Sequence, residues 1–285
     1  MSRHTIALAQ INPALGDLER NLALHEKSAE EAISRGVHLL VFPELSLTGY
    51  FLKDIVSSVA LPLTSLFIGR LRDLSRRIDL VVGFVEETPE HLFYNAALYL
   101  SKGEIQHVHR KVYLPTYGIF DEQRYLAEGG RIRTFRASIG RSAILICEDM
   151  WHPSTALVAS LDGMDVLISP SASPGRGGLE EGKGFANARA WETINRAYAQ
   201  LFTCYVVFAN RVGYEDGACF WGGSEVIAPT GEQVAKAAYL DEALLVAEID
   251  HDEVRRARMT NPLLRDEKLE VTMKELERIK REGAR

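Results

Sequence analysis

The sequence has few cysteines, no long apolar run and no excess of basic charge, and each of these features excludes a class of protein. It has 3 Cys among 285 residues, an odd number without metal-ligand spacing, so we expect neither a disulfide framework nor a metal site. No apolar stretch approaches the ~20 residues that cross a bilayer. A formal net charge of −6 argues against nucleic-acid binding, which needs a basic face. The N-terminus lacks a hydrophobic signal core, so we expect a cytoplasmic protein without membrane or nucleic-acid partners.

Apolar strands and amphipathic helices alternate along the chain without a linker, which favours one mixed-sheet α/β domain over residues 1–285. A helix is predicted to follow the capping residue Asp17 and to end at Gly36. The segment 169–183, rich in Ser, Pro and Gly, is interpreted as a loop, and 264–285 as a charged helical extension. Further helices are predicted over residues 62–77, 154–161 and 184–200, and strands over 37–42, 80–85, 93–100, 104–109, 142–146, 165–169, 203–210, 220–228 and 232–249.

Cys147 is the first candidate functional residue, because it follows the apolar run 143–146 and directly precedes Glu148 and Asp149. The run predicts a buried strand, and the residues after the acidic pair predict a turn into a helix. A thiol on such a turn faces a cleft beside free helix N–H groups, an environment that lowers a thiol pKa. Considered alone, this turn does not outweigh the alternative of a buried structural cysteine, which is the commoner fate of a lone thiol.

Two more ionisable residues end predicted strands. Glu44 follows the apolar strand 37–42, and Lys111 ends a strand that starts near Glu104. Strand ends are where α/β sheets build their sites. Separately, each is more typical of a solvated charge. Together with Cys147, they suggest a catalytic set.

These three segments resemble the nitrilase superfamily of carbon–nitrogen hydrolases, whose catalytic set is Glu, Lys and Cys in that chain order. The resemblance runs from about Ile6 to Asp250, and ordered matches over that length are more specific than one short motif. It implies a four-layer α-β-β-α sandwich. The matching segments are Phe42-Pro43-Glu44, Lys111-Val112-Tyr113-Leu114-Pro115, Cys147-Glu148-Asp149 and Gly222-Gly223-Ser224.

The resemblance implies a role for each residue of the site. Cys147 would be the nucleophile that forms a thioester, Glu44 the general base, and Lys111 the cation that meets the oxyanion together with the backbone N–H of Glu148. Glu122 matches the second Glu of the superfamily pattern, which positions the lysine and the attacking water; a solvated charge is the alternative. Such chemistry needs no metal and no organic cofactor.

Two histidines suggest a competing Cys–His dyad. His109 lies two residues before Lys111, and His152 lies five after Cys147. The superfamily pattern uses neither as base, so we interpret both as packing or surface residues.

Two segments, Cys147-Glu148-Asp149-x-Trp151 and Ser171-Ala172-Ser173-Pro174, resemble one branch of the superfamily, the glutaminase domain of glutamine-dependent NAD synthetase. This likeness implies that Tyr50, Tyr117, Phe120, Glu148 and Ser173 bind substrate, although core or wall packing is the alternative for each aromatic side chain.

Two departures from that branch limit the transfer of its activity. We expect no ATP-pyrophosphatase domain, because residues 1–285 contain no segment that resembles one. In addition, residues 175–181 intervene where the branch soon places a Gly-Arg that helps to hold the glutamine carboxylate. Arg176, Lys183 or Arg189 are the candidates to replace that contact. We therefore expect a thiol amidohydrolase acting on a small linear amide. A glutaminase subunit serving a separate synthetase, a nitrilase and a non-catalytic binding subunit are the alternatives.

A homodimer or higher homo-oligomer is also expected. In the superfamily, the helix after the nucleophile (here 154–161) packs against its symmetry mate. An apolar stripe in the C-terminal extension would dock on the subunit's own body or reach a partner subunit. The stripe consists of Leu269, Met273, Leu276 and Ile279.

Overall fold

A computed structural model of the chain describes residues 3–175 and 185–283. Its strands are β1 (Arg3–Gln10), β2 (Leu39–Val41), β3 (Asp79–Glu87), β4 (Phe93–Ser101), β5 (Glu104–Arg110), β6 (Thr134–Ala137), β7 (Gly140–Ile144), β8 (Val166–Ser171), β9 (Tyr205–Asn210), β10 (Val212–Glu215), β11 (Ala218–Trp221), β12 (Glu225–Ile227), β13 (Gln233–Lys236) and β14 (Ala243–Asp250). Its helices are α1 (Leu18–Ser34), α2 (Val56–Val59), α3 (Leu66–Leu74), α4 (Pro153–Leu161), α5 (Ala186–Leu201), α6 (His251–Thr260), α7 (Leu263–Asp266) and α8 (Leu269–Glu282).

The strands form two large sheets and one small hairpin. The first sheet has the order β14-β1-β2-β3-β4-β5, and the second has the order β13-β12-β9-β8-β7-β6. In each sheet, three neighbouring strands are parallel (β1-β2-β3 and β7-β8-β9) and the outer strands are antiparallel. Strands β10 and β11 form the separate antiparallel hairpin.

The two sheets pack face to face, with helices on both outer faces. Alternate residues of β1 show this: Ile6 and Leu8 belong to the core between the sheets, whereas Ala7 and Ala9 pack in a second core with side chains of α1 and α3. Side chains of α4 and α5 join the core of the second sheet on its far face. The predicted four-layer sandwich of the nitrilase type is therefore confirmed. Among the described helices, none is long and apolar enough to cross a bilayer.

Local signals place the helices well but mark their ends less well. The Asp17 carboxylate accepts the N–H of Arg20 and caps α1, as predicted. The helix predicted over 62–77 is shorter, because Ser65 caps α3 by accepting the N–H of Ile68. Helix α6 was not predicted.

The prediction for the C-terminal strands is wrong in part. The segment 220–228 is two strands, because Gly222 and Gly223 both adopt positive φ and break the ladder. The segment 232–249 is also two strands, and they lie in different sheets: β13 pairs with β12, whereas β14 pairs with β1. An apolar periodicity identifies a strand but does not say which sheet receives it.

The C-terminal extension forms α7 and α8, and no residue of α8 is buried. Its four stripe residues are 39–60% exposed. The stripe therefore does not dock on the body of this subunit.

Candidate active site

Glu44 lies just after β2, where the backbone passes next to the middle of β3. Phe42 continues the pairing by donating its N–H to the carbonyl of Val81, and the backbone of residues 43–45 then lies directly against Gly83. A Cβ at position 83 would collide with that backbone, so the close approach requires glycine. The side chain of Glu44 is thereby directed into the protein, where it is almost completely buried.

Lys111 begins the loop after β5 and joins two carboxylates. Its ammonium donates to Oε1 of Glu44 and to Oε1 of Glu122, both at 2.7 Å, and its side chain has no exposed surface. Asn95 of β4 supports both partners: its carbonyl accepts the Lys111 N–H at 2.8 Å, and its amide donates to Glu44 Oε1 at 2.8 Å. The N–H of Ala172 donates to the other oxygen of Glu44 at 2.8 Å.

Glu122 begins a 3-10 turn (Glu122–Arg124) and is buried, so the alternative interpretation as a solvated charge is wrong. The hydroxyl of Tyr50 also donates to its Oε1. Burial raises the pKa of Glu122 to about 7, and the charge of Lys111 opposes that rise. A carboxyl with this pKa changes its charge near neutral pH.

Cys147 lies on a strained turn between β7 and α4. The chain leaves β7 at Ile144, and Cys147 adopts φ +43° as the first residue of a 3-10 turn (Cys147–Trp151). A left-handed conformation costs a non-glycine residue about 1–3 kcal/mol. In this conformation the thiol lies near enough to the buried charges of Glu44 and Lys111 for both to affect its pKa.

The expectation of a lowered thiol pKa is wrong. Burial raises the pKa of Cys147 well above its ordinary value, and the negative charge of Glu44 raises it further, while Lys111 opposes the rise. The helix N-terminus predicted beside the thiol is present, but the side chain is only 7% exposed. The resting side chain of Cys147 is therefore a thiol, and a base is needed to remove its proton.

A cleft of about 290 Å³ opens onto Cys147. Tyr117, Phe120, Glu148 and Ser173, all predicted to bind substrate, are among its lining residues. Tyr50 lies elsewhere: with Phe120 and Glu122 it lines a smaller cavity of about 70 Å³. The described residues that line the cleft are Tyr117, Phe120, Cys147, Glu148, Trp151, Ser173, Pro174, Asn187 and Trp191.

Comparison with known proteins identifies the family. A carbon–nitrogen hydrolase family model matches residues 5–259. The chain belongs to the carbon–nitrogen hydrolase family. This hydrolase is 32% identical over 270 residues to a glutamine-dependent NAD(+) synthetase of Thermotoga maritima, with 92% of the chain but 45% of the relative covered.

Two further relatives match along nearly their whole length. The hydrolase is 26% identical over 265 residues to an N-carbamoylputrescine amidase of Arabidopsis thaliana, with 88% of each chain covered. A carbon–nitrogen hydrolase of Helicobacter pylori superposes with a TM-score of 0.83 at 26% identity, over 94% of this chain and 97% of that one. The chain thus spans less than half of the synthetase relatives and most of the other two proteins.

The polar residues of the cleft wall of this hydrolase are held by hydrogen bonds. Tyr117 donates its hydroxyl to Glu148 at 2.8 Å. Ser173 accepts at its hydroxyl from the indole of Trp191 at 2.9 Å and from the amide of Asn187 at 3.3 Å. Trp191 and Asn187, both on α5, were not predicted, because only the fold brings α5 to the cleft.

The two histidines considered for a Cys–His dyad, His109 and His152, have other partners in the structure of the hydrolase. His109 is buried and its Nε2 lies 2.8 Å from Oδ2 of Asp149. The ring of His152 stacks on Tyr113, with the centroids 3.5 Å apart. Neither geometry favours a Cys–His dyad. Arg176 and Lys183, expected to meet a substrate carboxylate, lie outside the described residues.

Proposed function

We propose that this hydrolase is a thiol amidohydrolase, which cleaves the C–N bond of a small linear amide through a thioester on Cys147 and releases ammonia or an amine. The supporting observation is the buried cluster of Glu44, Lys111 and Glu122 next to Cys147. The Lys111 ammonium bonds both Glu44 and Glu122, and the charges of all three act on the thiol.

Glu44 fits the role of general base for acylation. An amide resists attack because resonance ties up its carbonyl carbon, so the thiol must lose its proton as its sulfur attacks. The proton passes to the Glu44 carboxylate, and the carbonyl oxygen becomes an oxyanion. Two of the three ammonium N–H bonds of Lys111 go to carboxylates, which leaves one for the oxyanion. The N–H of Glu148, at the start of the 3-10 turn, supplies the second donor.

The same carboxyl then completes the turnover. Protonated Glu44 gives its proton to the leaving nitrogen, the C–N bond breaks, and the thioester remains. A water molecule attacks that thioester and gives a proton to Glu44, the C–S bond breaks, and the sulfur recovers the proton. Glu122 keeps Lys111 in place throughout. A positioned base of this kind contributes roughly 10²–10⁴-fold in rate.

Tyr50→Phe is expected to move the acidic limb of the kcat/KM pH profile to higher pH. The Tyr50 hydroxyl favours ionised Glu122, so its loss raises the pKa of Glu122 further. Protonated Glu122 no longer balances the charge of Lys111, and the ammonium is then drawn towards Glu44 alone, which removes it from its place beside the oxyanion. The profile is compared with those of wild type and of Tyr214→Phe, a change to an exposed ring. If the acidic limb of the kcat/KM profile of Tyr50→Phe stayed at the wild-type pH, the role of the Tyr50 hydroxyl in keeping Glu122 ionised would be contradicted.

Glu148 favours a neutral or amine-bearing substrate. It is the sole charged side chain among the described residues that line the cleft, and a carboxylate repels the α-carboxylate of glutamine. The relative named N-carbamoylputrescine amidase is consistent with an amine-bearing substrate.

Ammonia release from a panel of amides, carbamoyl compounds and nitriles tests the proposal. We expect kcat/KM for 4-aminobutanamide to exceed that for glutamine by about tenfold, the effect of a charge contact of about 1.4 kcal/mol. Glu148→Gln should reduce this preference, whereas Asp162→Asn, outside the cleft, should not. Release from nitriles alone would identify a nitrilase, and no release from any compound would favour a binding subunit.

A glutaminase subunit is the second candidate. It is supported by synthetase relatives at 30–32% identity, of which this chain covers 44–46%. In that case the released ammonia would pass to a separate synthetase. A preference for glutamine over every neutral amide in the panel would favour this candidate and contradict the reasoning from Glu148.

We also propose a homodimer or a higher homo-oligomer, because the α8 stripe is exposed in the single subunit. Sedimentation velocity at micromolar concentration should give a mass of at least twice 31.8 kDa. Leu276→Glu should weaken the assembly, and Lys274→Glu on the same helix serves as control. A 31.8 kDa monomer would contradict the proposal.

A further inference from the structure

Asp149 connects the nucleophile turn to the lysine loop. Its carboxylate has no exposed surface. Oδ1 accepts the N–H groups of Val112 and Tyr113, both at 3.0 Å. These are the two residues directly after Lys111, so this oxygen fixes the backbone that carries the ammonium.

The other oxygen of Asp149 binds the backbone next to Cys147. Oδ2 accepts the N–H of Ile146 at 3.0 Å, directly before Cys147, and faces Nε2 of His109 at 2.8 Å. The N–H of Asp149 also donates to the carbonyl of Ile146 at 3.0 Å. These two bonds close the turn in which Cys147 has its left-handed conformation.

Each oxygen of a carboxylate accepts two hydrogen bonds readily, and all four positions of Asp149 are filled. The donors come from both sheets, since Lys111 follows β5 of the first and Cys147 follows β7 of the second. We propose that Asp149 and His109 are positioning residues that hold Cys147 in register with Lys111 for the amidase reaction. The inference rests on the proposed function.

The position of His109 on β5 explains how it orients the Asp149 carboxylate. It lies on β5 two residues before Lys111, whose N–H continues the pairing with β4 by donating to the carbonyl of Asn95. Its Nε2–H is the one side-chain donor among the four, and it is buried with Asp149. Without it, the buried carboxylate keeps three backbone donors but has one unfilled acceptor position, so its orientation is fixed less firmly.

Asp149→Asn places an NH2 group against N–H donors on one side of the residue. A displacement on the order of 1 Å costs about 10²-fold in rate, so we expect kcat per active site to fall by about that factor. His109→Leu, which removes one of four donors, should lose about tenfold, and His109→Gln, which keeps a side-chain N–H, should lose less than about threefold. KM should stay nearly constant in all three, because neither residue lines the described part of the cleft.

The experiment measures two quantities on the full chain. Active sites are counted by stoichiometric labelling of Cys147, and kcat is expressed per labelled site. The rate of Cys147 alkylation by iodoacetamide is followed from pH 6 to 9 with peptide mass spectrometry. Asp162→Asn is the matched control, because Asp162 also accepts several hydrogen bonds, from Thr134 and Arg141, away from the site.

Slower alkylation and lower kcat in Asp149→Asn and His109→Leu, with rescue in His109→Gln, would support positioning. A lower melting temperature with unchanged kcat per site and unchanged alkylation would overturn it. If Asp149→Asn does not fold, the two His109 variants decide the question by the same criteria. If the wild type releases no ammonia from any amide, the proposed function fails, while the alkylation series still tests the link from Asp149 to the thiol.

Discussion

Cys147→Ala is expected to reduce amide hydrolysis to the background rate and to leave the fold intact. The variant removes one sulfur atom from a site that is already strained in the wild type, where Cys147 has φ +43°. The remaining donors could still bind substrate, but no thioester forms without the sulfur. Turnover and thermal unfolding are measured together. Cys204→Ala and Cys219→Ala are the controls, and both should keep kcat per folded molecule.

The same experiment identifies the nucleophile directly. Mass spectrometry after incubation with a slow substrate or an electrophilic analogue should show an adduct on Cys147. Cys204 has no exposed surface and does not line the cleft onto which Cys147 opens, so it should not react. Full activity in Cys147→Ala, or an adduct confined to Cys204 or Cys219, would refute the proposed mechanism.

Glu44→Gln and Lys111→Ala are expected to lower kcat by roughly 10²–10⁴-fold and 10²–10³-fold respectively. The amide introduced by Glu44→Gln keeps the shape of the side chain but accepts no proton from the thiol. Its NH2 group also faces a donor, either the Lys111 ammonium or the N–H of Ala172. Loss of Lys111 removes the oxyanion's cation and leaves two buried carboxylates, Glu44 and Glu122, without it. Lys111→Ala should therefore also lower stability.

Arg110→Ala is the matched control for Lys111→Ala. Arg110 precedes the lysine and forms a two-bond ion pair with Glu86, partly exposed to solvent. Its removal costs stability but should leave kcat nearly unchanged. His109→Ala and His152→Ala should each cost far less than Glu44→Gln. If a folded histidine variant lost as much activity as Glu44→Gln, an imidazole base would have to replace the carboxylate in the mechanism.

The positions of Glu44, Lys111 and Cys147 could be predicted because their signals are local. Each ends an apolar run, and their order matches the superfamily pattern. Asn95 and Asp149 could not be assigned a role in the same way. Asn95 lies within β4 and reaches Glu44 only after β3 and β4 pair. Three of the four partners of the Asp149 carboxylate lie 36–40 positions away in sequence.

The thiol pKa could not be predicted for a similar reason. The turn and the helix start after Cys147 were visible in the sequence, and alone they would lower the pKa. Burial and the charges of Glu44 and Glu122 act in the opposite direction, and these depend on the assembled fold. The sheet assignments of β13 and β14 also depend on the assembled fold, because both strands carry the same kind of pattern.

The stacking of the two sheets makes the proposed catalysis depend on how the sheets are aligned with each other. Glu44 and Lys111, the proposed base and cation, follow strands of the first sheet, and the proposed nucleophile Cys147 follows a strand of the second. A slip of the sheets by one residue, about 3.3 Å along the strands, exceeds the length of a hydrogen bond. Such a slip would abolish amide hydrolysis, although the backbone hydrogen bonds within each sheet would remain intact.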